Sequence, residues 1–278
     1  MSIWFITGAS RGFGRQVALE ALRRGDKVVA TARNISDLDY LNNQEPENLL
    51  ALSLDVTEPK QIELAVHTAL EVFGKIDILF NNAGIGYFAA VEESDDTEVR
   101  KLMEINVFGL ASVTRAVLPH MRSKKSGRIL NVSSVGGIRA FPAVGWYTAS
   151  KFAVEALSEA LALETAPLGI KVILVEPSAF ATDWAGSSAA EVTPENRIAD
   201  YALTAGAQRE AFRANVGQEP GDPAKAAVAI VDVAHDVNPP LRLPLGNYAY
   251  DGILEKLDSV RFDIASREAV SRGADRDK

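Results

Sequence analysis

Along this chain, short apolar runs alternate with stretches whose apolar residues recur every three to four positions. The runs Ile3-Trp4-Phe5-Ile6, Val28-Val29-Ala30, Leu49 to Leu54, Ile76 to Phe80, Arg128 to Val132 and Ile170 to Val175 are apolar on successive residues. A strand reads that way when helices cover both faces of a parallel sheet. Helical periods lie between them: Phe13 to Arg24 closed by Gly25, Pro59 to Phe73 with Thr57 as its expected cap, Thr97 to Met121, and Tyr147 to Thr165. Further on, Asp222-Pro223 opens a helix to about His235, Leu241 to Leu245 offers a seventh strand, and Ala249 to about Ala269 a closing helix. Strand-helix repetition implies right-handed crossovers, hence an α/β fold with a doubly wound parallel sheet of about seven strands and helices on both faces.

Bulk properties narrow the function. With 278 residues and 47% hydrophobic content the chain can bury a full core. It shows no internal repeat or low-complexity linker, so residues 1–278 read as one domain with a charged tail, 271–278, expected to fray. A formal net charge of −8 argues against a nucleic-acid or anionic-membrane partner, either of which calls for a basic face. The absence of cysteine removes disulfides and thiolate metal sites. His67, His120 and His235 fall in separate helical patterns, and no metal is expected. The first strand starts at Ile3 and no apolar run approaches the roughly 18–20 residues of a membrane span, so a soluble, cytoplasmic protein is expected.

Candidate chemistry begins at the first crossover, Thr7-Gly8-Ala9-Ser10-Arg11-Gly12-Phe13-Gly14. Glycines between a strand and a helix let the backbone approach a pyrophosphate, and the helix start offers free N–H groups and a positive dipole end. Glycines in a tight turn also serve structure alone, and the spacing here is Gly-x-x-x-Gly-x-Gly. At the end of the second strand, Ala32 stands where an acid would bind an NAD ribose, and Arg33 follows. Arg33 and Arg11 together suit a 2′-phosphate, which favours NADP(H) over NAD(H), although each alone reads as ordinary surface charge. Asp55-Val56 and Asn81-Asn82-Ala83-Gly84 follow the third and fourth strands at the same sheet edge. Asn106, with Gly109 close behind, is an awkward choice inside a helix and points to a local distortion.

The second focus is Tyr147-Thr148-Ala149-Ser150-Lys151. Its i, i+4 spacing puts a phenol and an ammonium on one helix face, and a cation within a few ångströms favours the phenolate. Such pairs also occur on ordinary amphipathic helices. Upstream, however, an apolar strand ends in Ser133-Ser134 before Gly136-Gly137, which would bring a second hydroxyl to the same volume.

Taken together and in order, Thr7 to Gly14, Asn81 to Gly84, Ser134, Tyr147 to Lys151 and Pro177 to Thr182 make the chain resemble a Rossmann-type short-chain dehydrogenase/reductase of the single-domain kind, over about Ile3 to Thr182. Overall similarity leans toward the hydroxysteroid and retinol dehydrogenase branch. The resemblance implies hydride transfer between the cofactor and a small-molecule carbonyl or secondary alcohol. Tyr147 would be the proton donor or acceptor, Lys151 would lower its pKa and hold the nicotinamide ribose, Ser134 would orient the substrate oxygen, and Asn106 would help hold a relay water. It further implies cofactor contacts by Gly8, Ser10, Arg11, Gly12, Phe13 and Gly14 in the glycine turn, by Asp55 and Val56 near the adenine, by Asn82, Ala83 and Gly84, and by Pro177 to Thr182 around the nicotinamide. A homodimer or homotetramer is implied as well, paired through the helices Thr97 to Met121 and Tyr147 to Thr165. The family usually has Pro-Gly where this chain has Pro177-Ser178, and a serine forced into glycine-only angles would be strained. Segment 183–218 is expected to cover the substrate, with Trp184, Tyr201 and Phe212 either lining its pocket or packing. A cofactor-binding sensor without turnover is the competing class; decayed members would be expected to lose catalytic side chains, and all four stand here.

Overall fold

The structure, a computed structural model, describes residues 1–186 and 188–276. The first half of the chain gives β1 (Ile3–Ile6), α1 (Gly12–Arg23), β2 (Lys27–Ala32), β3 (Leu49–Ser53), α2 (Pro59–Phe73), β4 (Ile78–Asn81), the short β5 (Gly86–Phe88), α3 (Asp96–Met103) and α4 (Leu110–Lys124). The second half gives β6 (Gly127–Val132), α5 (Gly145–Thr165), β7 (Ile170–Pro177), the short β8 (Ala189–Glu191), α6 (Ala207–Ala214), α7 (Pro223–His235), β9 (Arg242–Leu245), α8 (Asn247–Ala265) and α9 (Glu268–Arg272).

Seven strands form one parallel sheet in the order β3-β2-β1-β4-β6-β7-β9. Successive residues of β1 show why these strands are apolar throughout. Trp4 and Ile6 pack with Val17, Ala21, Ile230 and Val231 of α1 and α7 on one face. Phe5 packs with Ile62, Val66, Val113 and Val117 of α2 and α4 on the other. Both faces are dry, so alternation disappears from the sequence. The sheet grows from β1 outward to β3, then restarts at β4 on its other side. That reversal opens a crevice at the carboxyl ends of β1 and β4, the place where open α/β sheets bind ligands.

Three local expectations are corrected. Thr57 does not cap α2: Glu58 occupies that position, and Thr57 donates its N–H and hydroxyl to Asp55 Oδ1 at 2.9 and 2.7 Å. The helix read as Thr97 to Met121 starts one residue earlier, capped by Asp95 Oδ1 on the N–H groups of Thr97 and Glu98 (2.8 and 3.1 Å), and is broken by a π-helical turn over Glu104–Gly109. That helical run, 96–124, also contains an 18-residue stretch apolar enough to cross a membrane by length and composition. Leu102, Val113, Val117 and Met121 within it are nevertheless fully buried in this fold.

The segment after β7 was the least regular in sequence. It folds as β8 pairing in parallel with β5, followed by short 3₁₀ and π turns and then α6. Of the tail, α9 extends through Arg272, and residues 277–278 lie outside the described residues.

Candidate active site

The glycine turn is built by steric necessity at two positions. Gly8 has φ +65°, and a Cβ there would stand 2.9 Å from Ala83 Cα; a Cβ on Gly14 would stand 2.3 Å from Gly8 O and 2.6 Å from Asn82 Nδ2. Gly14 therefore does not face the cleft. It lets α1 press against the turn, while Gly8, Ser10, Arg11, Gly12 and Phe13 line the cleft. Among the described residues no side chain caps α1, whose N-terminus opens there. The turn is stapled from β4: Thr7 Oγ1 accepts from the N–H groups of Asn82 (3.0 Å) and Ala83 (3.1 Å), and Asn82 Nδ2 donates to Thr7 O (3.1 Å) and Gly8 O (2.9 Å). The side chain of Asn82 is thus spent on shaping the cradle.

Ala32 and Arg33, at the end of β2, line the same cleft together with Asp55, Val56, Ala83 and Gly84. Arg33 is exposed. Arg11 differs, because its Nη1 donates to Asp183 Oδ2 at 2.8 Å. Asp183 belongs to the segment after β7, so this pair ties the glycine turn to the cover.

At the far end of the cleft, β6 and α5 converge. Ser134 Oγ accepts from Gly136 N at 3.0 Å and donates to Pro177 O at 3.4 Å. Gly136 sits between the two hydroxyl-bearing side chains: a Cβ on it would be 3.3 Å from Ser134 Oγ and 3.6 Å from Tyr147 Cε1. Tyr147 is 9% exposed and Lys151 6%. The lysine faces the Tyr147 ring but spends its hydrogen bond elsewhere. Its Nζ donates to Val132 O at 2.7 Å and lies 5.7 Å from the Tyr147 ring centroid. Burial pushes Tyr147 up to about 12, opposed by the Ser134 hydroxyl, and pushes Lys151 down to about 8, opposed by the charge of Glu155. In the protein alone, therefore, the Tyr147 pKa is raised and not lowered, because desolvation outweighs the hydrogen bond from Ser134.

Asn106 explains the π turn. Its Nδ2 donates to Ile85 O (3.0 Å) and Ser150 Oγ (3.1 Å), and its Oδ1 accepts from Ile85 N (2.9 Å). Both amide hydrogens are used and the residue is 1% exposed, so the side chain braces the strand beside the cleft and does not line it.

The cover is aromatic. Trp184 lies 4.8 Å from Tyr147 between ring centroids and makes an edge contact with Phe88 at 5.5 Å, while Phe212 stacks on Phe88 at 5.4 Å. Trp184 and Phe212 line the cleft. Tyr201 does not; it packs with Ala90, Ala143 and Ala205, and its hydroxyl donates to Glu92 Oε2 at 2.5 Å. Arg213 of α6 clamps the cover by donating to the carbonyls of Ala185 (2.7 Å), Gly186 (2.6 Å) and Ala189 (3.0 Å) and to Glu191 Oε2 (2.8 Å). Phe141, Val144 and Tyr248 also line the cleft, and sequence reasoning missed them. A positive φ of +66° at Ala143 turns the chain toward α5, a feature that no residue type announces.

Ser178 is unstrained. Among the described residues only Lys125 and Ala143 combine a side chain with a positive φ. Room for the Ser178 hydroxyl comes from Gly246, where a Cβ would stand 2.4 Å from it.

The cleft has a volume of about 720 Å³ and runs without a break from Arg33 past the glycine turn to Ser134, Tyr147, Lys151, Pro177 and Thr182. A Gly-rich turn at a topological switch point, opening into a half-enclosed pocket with a buried Tyr-Lys pair, defines a dinucleotide-binding oxidoreductase. The family pattern described as short chain dehydrogenase matches residues 2–193. An oxidoreductase of Botryotinia fuckeliana (BOA17) is 42% identical over 245 residues, 88% of each chain, and a 3-ketodihydrosphingosine reductase of Bacteroides thetaiotaomicron is 38% identical over 88% of this chain and 87% of its own. Among solved structures, a short-chain dehydrogenase from Streptomyces avermitilis superposes with a TM-score of 0.91 at 43% identity, covering 99% of this chain and 98% of the other. ElxO with NADP bound (TM-score 0.74, 26% identity, 90% and 99% covered) and a Burkholderia phymatum enzyme in complex with NAD (0.80, 25%, 96% and 95%) share the fold with either cofactor. The chain belongs to the short-chain dehydrogenase/reductase family, NAD(P)-dependent oxidoreductases of alcohol and carbonyl groups.

Proposed function

We propose that this protein reduces a carbonyl, or oxidises the matching secondary alcohol, with NADP(H). The observation that carries the reading is the single cleft that joins the glycine turn to Ser134, Tyr147 and Lys151. The cradle fits a dinucleotide, since Gly8 and Gly14 let Ala83 and the start of α1 close in on the turn, and the N-terminus of α1 opens into the cleft beside Gly12. When bound, the nicotinamide supplies or takes the hydride. Tyr147 passes the accompanying proton through its hydroxyl, and Ser134 holds the substrate oxygen beside it. Lys151 binds the nicotinamide ribose and supplies positive charge near the phenol. Trp184 and Phe212 exclude water from the reacting carbon. The aromatic cover suits an apolar substrate, in keeping with the hydroxysteroid and retinol lean of the sequence.

Arg33 beside Ala32 supports NADP(H), since no acid there would repel a 2′-phosphate. Self-association through α4 and α5 is part of the same reading: Phe152, Leu157 and Leu163 of α5, together with Phe108, are exposed by 44–79%. Steady NADPH oxidation over a panel of apolar ketones and aldehydes tests the proposal. Tight NADPH binding with no turnover on any of them would assign the protein to the sensor class instead.

A further inference from the structure

Behind Lys151 lies a buried acidic cluster to which the mechanism above gives no work. Glu155, one turn beyond Lys151 on α5, is 5% exposed, and Glu176 near the end of β7 is fully buried. Arg242 of β9 spans both, with Nη2 3.3 Å from Glu155 Oε2 and Nε 3.2 Å from Glu176 Oε1, and reaches Glu159 at the surface. Ser133 and Gly137 close the cluster from above, where a Cβ on Gly137 would stand 2.5 Å from Ser133 Oγ and 2.9 Å from Glu155 Cγ. The groups facing the acid pair are thus Lys151 and Glu159 from α5, Arg242 from β9, and the Ser133 hydroxyl after β6.

The donors do not suffice for two ionised acids. Glu155 Oε1 and both Glu176 oxygens are buried outside hydrogen-bonding geometry, and the Ser133 hydroxyl beside Glu155 carries one proton and can serve only one of them. An ionised carboxylate in that state is too costly to persist, whereas one proton placed between the two acids turns an acceptor-acceptor contact into a hydrogen bond. It also leaves the pair with a single negative charge facing Arg242 and Lys151.

We propose that Glu155 and Glu176 share one proton, and that this hydrogen-bonded pair positions Lys151 by holding a fixed negative charge beneath its ammonium. Burial agrees in direction, raising Glu155 and taking Glu176 up to about 8, while the Glu155 charge opposes the loss of the Lys151 proton. The sign follows from linkage. An acid whose folded pKa is raised contributes stability that is present below its unfolded pKa near 4.5 and lost as pH rises toward 8.

Three measurements test the pair, the last resting on the proposed hold of Lys151 on the cofactor ribose. Infrared difference spectra of the wild type between pH 6 and pH 9 should show a protonated-carboxyl C=O band that disappears at the higher pH and is missing from Glu176→Gln. No such band in the wild type overturns the proposal whether or not any variant folds. The thermal midpoint of the wild type should fall between pH 5 and pH 8, and Glu176→Gln, whose amide can replace the shared proton, should flatten that fall. An equal loss of midpoint at every pH would mean an ionised ion pair instead. In Glu155→Gln the pH above which NADPH binding weakens should drop by about one unit, a tenfold weaker Kd between the two limbs, with Glu155→Asp restoring part of it. An unmoved limb overturns the positioning role. A wild type that binds no NADPH at any pH defeats the proposed function, while the infrared band still decides the pair.

Discussion

Lys151 donates its ammonium to the main-chain oxygen of Val132 at 2.7 Å, so its charge is tied to the last residue of β6 and not to the phenol of Tyr147. A backbone acceptor does not move or titrate. The lysine is therefore held in place within a site whose burial works against its charge.

Activity and stability should consequently diverge with pH. Burial takes Lys151 down to about 8 from an ordinary value of 10.5, so the unfolded chain binds the proton more tightly than the folded one between those values. This group's contribution to stability rises as pH goes from 8 to 10.5, while any function that needs the ammonium falls. kcat/KM for an accepted ketone with NADPH should drop above about pH 8. A rate that holds level to pH 10 would show that the charge on Lys151 is not required.

Tyr147→Phe removes one hydroxyl and keeps the ring packed on Trp184. NADPH affinity and the thermal midpoint should stay close to wild type while kcat falls roughly 10²- to 10⁴-fold, the usual worth of a general acid or base. Stopped-flow reduction and fluorescence titration on one preparation separate the two quantities. A kcat within a few-fold of wild type would place the proton elsewhere.

Much of this site was legible in sequence because each signal combined a residue type with a spacing. The glycine turn, the strand-end Ser134 and the Tyr147–Lys151 pair all lie within or beside regular elements whose period fixes direction. Legibility failed where tertiary contacts decide. Asn106 stands out in sequence as a distortion, but its partner Ile85 lies 21 residues away in the chain, so its bracing role is invisible there. Arg11 sits in sequence where a phosphate contact is expected, and its ion pair with Asp183 spans 172 residues. Tyr201 and Phe212 were equivalent on paper. The packing of α6 against Phe88 brings only the second to the cleft. Analogy makes Ser178 look strained, yet its φ is not positive, and Gly246, in the turn between β9 and α8, makes room for its hydroxyl.

Gly14→Ala should disrupt the cradle without touching the ligand. The added methyl would stand 2.3 Å from Gly8 O, a backbone atom that cannot swing aside, so α1 must shift away from the turn. Overpacking of this kind typically costs about 1–3 kcal/mol. NADPH and NADH should both bind more weakly and the thermal midpoint should fall. Gly25→Ala is the control, since φ there is +83° but no atom lies within 4 Å of the new Cβ. It should lower the midpoint and leave both dissociation constants unchanged, and if it weakens cofactor as much as Gly14→Ala, the effect is general destabilisation.

Cofactor preference turns on two arginines in different situations. Arg33 is exposed at the end of β2, where it can meet a 2′-phosphate directly. Arg11 must exchange Asp183 for that phosphate, and magnitudes favour the exchange: a pair whose side chains are 51% and 38% exposed contributes about 0–1 kcal/mol, against roughly 1.5–3 kcal/mol for a charge-assisted bond. Arg33→Ala should thus weaken NADPH binding roughly 10- to 150-fold, at about 1.4 kcal/mol per decade, and leave NADH almost unchanged. Arg11→Ala should act in the same direction by less, because the wild type gives up an ion pair to make the contact. Asp183→Asn removes the competing carboxylate and should tighten NADPH without altering NADH. The two cofactors differ only at the phosphate, so the ratio of their dissociation constants at fixed salt isolates it. A wild type that prefers NADH, or an Arg33→Ala variant that weakens both cofactors equally, would return the arginines to ordinary surface charge and the NADP(H) assignment would fall with them.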